Sequence, residues 1–139
     1  MVSFYSKYET FSLQGEDEYR KWIFQTVNDE GKRVGEIQYI FCSDDCLLDI
    51  NKRFLDHDYY TDIVTFPLSE SDQVISGEIY ISVDRVRENA ANNSVDFGTE
   101  LARVIIHGIL HLIGYDDQTE EEKRVMRSKE DYYLTLKEN

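Results

Sequence analysis

The sequence predicts an α+β or α/β domain built on one β-sheet, and three observations carry that reading. Stretches with apolar side chains at every second position are interspersed with stretches at helical spacing, and helices dominate the C-terminal end. One helical stretch is apolar almost all round, which places it at the centre of the domain. The 139 residues are 41% hydrophobic and 31% charged, with one proline and no linker, repeat or low-complexity segment, as expected for a single domain over 1–139.

The elements follow in order. Residues 2–13 are rich in Phe, Tyr, Val and Thr and read as extended. Glu16 to Val27 places Tyr19, Trp22, Ile23, Thr26 and Val27 at helical spacing, and Asn28 and Gly31 end that helix. Val34 to Cys42 puts Ile37, Tyr39 and Phe41 on one face of a strand. Ser43-Asp44-Asp45 supplies caps for a helix through Leu47, Leu48, Ile50, Asn51 and Phe54. Thr61 to Phe66 is a strand that stops at Pro67, and Ser69 to Gln73 is a polar loop. Val74 to Ser82 alternates, with Ile79 and Ile81 facing one way and Glu78 and Tyr80 the other. Asp84 to Asn92 is a helix, ended by Asn92-Asn93-Ser94, and Gly98 to Ile113 is the central apolar helix. Thr119 with Glu122 makes a capping box for a last, mostly polar helix that runs to about Leu136.

Composition limits the functions available. A net charge of -13 argues against loose, charge-driven binding to nucleic acid, although a local basic patch or a bound cation can oppose the average. Cys42 and Cys46 are too few for a disulfide framework and lack the C-x-x-C spacing, so they read as small core-lining thiols in a reducing compartment. The N-terminus has no apolar signal core, and the longest apolar run, Val104 to Ile113, is short and broken by histidine. A soluble, cytoplasmic protein without membrane partners is expected.

The chemistry lies in His107-Gly108-Ile109-Leu110-His111-Leu112-Ile113-Gly114-Tyr115-Asp116-Asp117. Residues four apart share one helix face, so His107 and His111 can bind one ion. Gly114 can take the positive φ that reverses the chain, and Asp117 then returns as a third ligand, with Asp116 the less favoured neighbour. This is the H-x-x-x-H-x-x-G-x-x-H spacing of metzincins with aspartate in the last slot. Zinc suits such a set, with three protein ligands and an open fourth position. Two core histidines capped by carbonyls are the alternative. Against it, two of only three histidines fall in this register, followed by the glycine and the acid. Gly108 occupies the slot of the glutamate base in H-E-x-x-H proteases, which lowers the case for peptide hydrolysis.

These residues resemble the YbeY family of bacterial endoribonucleases and rRNA maturation factors. The family signature H-G-x-L-H-L-x-G-Y-D-H is matched from His107 to Asp116 and departs at Asp117. The family block T-D-V-L-S-F-P is similar to Thr61-Asp62-Ile63-Val64-Thr65-Phe66-Pro67, and a glycine-acid-I-x-I-S strand is similar to Gly77-Glu78-Ile79-Tyr80-Ile81-Ser82. The resemblance covers roughly residues 34 to 130. It implies an α+β fold, one mixed sheet packed by helices with the metal-bearing helix near the middle. It implies zinc held by His107, His111 and Asp117, and metal-assisted hydrolysis of single-stranded RNA. It also implies a role in ribosomal RNA processing, including the small-subunit 3′ end, and in ribosome quality control, with RNA and ribosomal or ribosome-assembly proteins as partners.

Two departures carry expectations of their own. Aspartate for the third histidine adds a negative charge to the site, which implies a higher working pH or a weaker nuclease and some tolerance of metals other than zinc. The family's arginine, six residues before the threonine, is Leu55 here, and Arg53 points elsewhere on a helix. His57 is either a phosphate contact or a solvated loop residue. Lys52, Arg53, Arg85, Arg87 and Arg103 form either one basic surface or scattered charges. Asp62 and Glu78 are candidates to orient water or the ligating histidines, and no residue is assigned as the catalytic base. The competing functional readings are a non-catalytic ribosome-assembly factor with structural zinc and, more distantly, a zinc peptidase.

Overall fold

The computed structural model describes residues 1–137. The chain runs β1 (Val2–Ser6), α1 (Glu16–Asp29), β2 (Arg33–Cys42), α2 (Asp44–Leu55), β3 (Ile63–Pro67), β4 (Val74–Ser82), α3 (Val83–Asn92), α4 (Phe97–Ile113) and α5 (Glu120–Leu136). Four strands form one mixed sheet in the order β1-β2-β4-β3. The first two pairings are parallel and β3 joins β4 antiparallel, so the fold is α+β with β3 on an edge. Pro67 closes that edge strand, where its missing N–H disturbs no inner ladder.

The main core lies on one face of the sheet. Ile37, Tyr39 and Phe41 from β2 and Ile79 and Ile81 from β4 meet Ile105, Ile106 and Ile109 of α4 there. The helix α4 is buried on most of its circumference, as its all-round apolar pattern requires. The Tyr39 hydroxyl donates to the Ile105 carbonyl at 2.8 Å, which fixes where α4 sits on the sheet. The Trp22 indole N–H donates to the Tyr133 carbonyl at 2.8 Å and ties α1 to α5. A smaller cluster of Cys42, Leu47 and Val64 lies on the opposite face under α2. Burial there pushes the Cys42 thiol up to about 12, which leaves it protonated and inert.

One stretch departs from its expected form. Residues 2–13 are a strand only as far as Ser6. The Ser6 hydroxyl accepts from the Tyr8 N–H at 3.2 Å and donates to the Phe11 carbonyl at 2.8 Å, which folds the chain into a turn. Phe11 and Leu13 then pack on the core from a loop. The caps of α2 and α5 form as their residues require: Ser43 accepts from the Cys46 N–H, and Thr119 and Glu122 make the reciprocal box. Among the described residues no helix is long and apolar enough to cross a membrane.

Candidate metal centre

The helix α4 delivers His107 and His111 to one spot, and the turn after it delivers Asp117. Gly114 has φ 128°, and its N–H bonds to the carbonyls of Leu110 and His111, so the chain reverses there. Asp117 Oδ2 comes to 3.2 Å from His107 Nε2 and 3.3 Å from His111 Nε2, while the two nitrogens are 3.0 Å apart. Donors ~2.0–2.2 Å from one tetrahedral cation stand roughly 3.3–3.6 Å from each other. The three atoms come within a few tenths of an ångström of one face of such a tetrahedron and leave its fourth corner to the cleft. Asp116 is exposed and takes no part.

Glu130 completes the arrangement from α5. Its Oε2 accepts from His107 Nδ1 at 2.6 Å, and its Oε1 accepts from Arg103 at 2.7 Å. A proton on Nδ1 leaves the Nε2 lone pair free to face the other donors. Burial opposes a charge on His107, but the Glu130 hydrogen bond and charge outweigh it and raise the imidazole above its ordinary value. Burial would likewise raise the Glu130 carboxyl, and His107 and Arg103 hold it below the usual range instead. Arg103 also binds Asp131 at 2.8 Å. The local motif around the histidines does not contain Glu130, whose signal is a carboxylate within the buried stripe Met126, Glu130, Tyr133 of a polar helix.

Gly108 faces the sheet, where an added Cβ would stand 3.0 Å from both Ile63 Cδ1 and Ile79 Cγ2. The slot of the protease base is thus a packing position with no space for a carboxylate. A cleft of about 330 Å³ opens over the three donors, lined on the β3 side by Asp62, His57 and Tyr59. Burial raises the Asp62 carboxyl, with the His107 charge opposing. Glu78 lies on the α2 face of β4 beside Tyr80, away from this cleft. Leu55 lines the cleft as well.

The five cations considered together from sequence stand apart. Lys52 pairs with Asp58 at 3.4 Å, Arg53 with Asp49 at 3.2 Å and Arg85 with Asp44 at 2.9 Å. Arg87 stacks over Phe97, and Arg103 serves Glu130. Positive charge faces the centre from α5 instead, where exposed Arg127 lines a second groove that shares His107 and Asp117, beside Lys123, which pairs with Glu120 at 3.8 Å.

The profile of the family described as Endoribonuclease YbeY matches residues 4–137. This chain belongs to that family. An endoribonuclease YbeY of Flavobacterium psychrophilum is 47% identical over 137 residues, covering 98% of this chain and 96% of the relative. One of Cytophaga hutchinsonii is 46% identical over 136 residues, covering 98% and 95%. The solution structure of TM1509 from Thermotoga maritima superposes with a TM-score of 0.67 at 32% identity, covering 96% of this chain and 87% of that one. The YbeY match begins at residue 4, well ahead of the sequence blocks that carry the resemblance.

Proposed function

We propose that this YbeY protein is a zinc-dependent endoribonuclease that cuts single-stranded RNA in ribosomal RNA maturation, including the small-subunit 3′ end, and in ribosome quality control. The observation that carries the reading is the convergence of His107, His111 and Asp117 within 3.0–3.3 Å of one another at the floor of an open cleft. In this reading all three are metal ligands and Zn²⁺ is the native ion. A bound divalent cation supplies Lewis acidity there, polarising a phosphoryl oxygen and acidifying water. The chain's own residues do the rest. Glu130 holds His107 in the ligating tautomer, Asp62 orients water at the cleft wall, and Arg127 offers charge to the substrate backbone. Ribosomal RNA and ribosome-assembly proteins in the cytoplasm are the expected partners. The packing of Gly108 against Ile63 and Ile79 speaks against a peptidase.

The test pairs metal analysis with RNA cleavage. Protein purified without chelators should carry one zinc per chain, and His111→Ala should remain folded while losing metal-dependent cleavage of single-stranded RNA. If His111→Ala unfolds, and the wild type cuts no RNA with any divalent metal, the ion is structural and the assembly-factor reading replaces this one.

A further inference from the structure

The loop between α2 and β3 is held at the wall of the metal cleft by a device the nuclease reading does not use. The helix α2 ends on Asp56, whose φ of 55° is left-handed and turns the chain out of the helix. Asn51 is 1% exposed and grips the following segment twice. Its carbonyl accepts from the His57 N–H at 3.1 Å, and its side-chain amide donates to the Tyr59 carbonyl at 3.0 Å. Between those two points the rings of His57 and Tyr59 stack, with centroids 5.1 Å apart and planes 22° apart. The Tyr59 hydroxyl and His57 Nδ1 lie 3.1 Å apart, within hydrogen-bond reach. Both residues line the cleft that contains His107, His111 and Asp117, and Tyr59 is 55% exposed.

A solvent-exposed aromatic surface beside a phosphodiester-cleaving centre matches one part of an RNA strand, the face of an unpaired base. The other part, phosphate, is poorly served on this side. Leu55 offers only an apolar side chain, and Asp62 is the neighbouring charge in the cleft. We propose that the stacked His57–Tyr59 pair is a base-stacking subsite, on which one unpaired base of the RNA substrate rests while the adjoining phosphodiester meets the metal centre. Asn51 is its positioning residue. The subsite rests on the nuclease reading and adds what the cleft grips: a base plane, with little regard to base identity, because every base has a π face.

The experiment uses the zinc-loaded chain and a short fluorescein-labelled single-stranded RNA. Tyr59→Ala should raise KM about tenfold with kcat within about twofold, and Tyr59→Phe should keep KM within about twofold, because the ring survives. Anisotropy in the His111→Ala background reads binding without turnover. There Tyr59→Ala should weaken binding about tenfold while the slope of log Kd against log salt stays the same, since no phosphate contact is lost. An abasic site moved along the RNA should weaken binding at one position, and that penalty should vanish in Tyr59→Ala. If Tyr59→Ala melts early, Tyr59→Leu takes its place, keeping bulk without a π face. An unchanged KM, a flattened salt slope, or a loss in Tyr59→Phe equal to that in Tyr59→Ala overturns the subsite while the nuclease reading stands. A wild type that neither binds nor cuts single-stranded RNA overturns both.

Discussion

At the scale of single residues, the donor set and its support differ in how they can be read. His107, His111 and Asp117 lie within one helical turn and one chain reversal of each other, so local spacing alone brought them together. Glu130 is 23 residues beyond the histidine it binds, and only the docking of α5 on α4 places it there. Glu130→Ala should keep all three donors yet lower zinc affinity by about 10–100-fold, measured by competition with a chromophoric chelator. A proton competes for His107 Nε2, so zinc uptake should also weaken as pH falls. A carboxylate at position 117 would reduce the net positive charge of a cation held there. Asp117→His should therefore shift the pH–rate profile of RNA cleavage to lower pH, and an unmoved profile would show that the third donor does not tune the chemistry.

At the scale of elements, helices and their caps were legible because each signal is local: Ser43, Thr119 with Glu122, and the all-round apolar face of α4. The end of β1 was not, because Ser6 breaks the strand through hydrogen bonds that its own composition does not announce. The clamp that joins the end of α1, the metal loop and α5 was equally hidden. Glu30 accepts from Tyr115 at 2.6 Å and from Lys129 at 3.1 Å, and also from Tyr133. Tyr115 lies two residues before Asp117, so this clamp steadies the loop that carries the third donor. Burial would raise the Glu30 carboxyl, and the hydrogen bonds from Tyr115, Tyr133 and Lys129 lower it overall. A folded value below the unfolded one, about 4.3, means that the contribution is complete above that pH and is lost as pH falls through the folded value. In urea titrations across the acid range, Glu30→Gln should therefore be less stable than wild type near neutrality, and the two should converge below about pH 4. Parallel curves would mean that the carboxylate adds nothing.

At the scale of the whole molecule, a net charge of -13 surrounds a centre meant to receive a polyanion. Lys52, Arg53, Arg85 and Arg103 are spent on internal ion pairs and Lys123 pairs with Glu120, which leaves Arg127 on α5 as the cation that faces the centre. Arg127→Gln should weaken single-stranded RNA binding and reduce the magnitude of the salt slope by about 0.7, the share of one phosphate contact. Anisotropy over a salt series checks this, and an unaltered slope would remove Arg127 from the RNA path. The dependence of His107 on Glu130 has a further consequence for how distant packing reaches the site. The carboxylate that steadies the first imidazole comes from α5, and the Trp22 indole ties that helix to α1 through the Tyr133 carbonyl. Loosening α5 therefore withdraws Glu130 while the three donors stay on α4 and the turn after it. A substitution at the buried seam of α1 and α5, far from the cleft, should thus read out as a weaker grip on a metal ion offered to the protein.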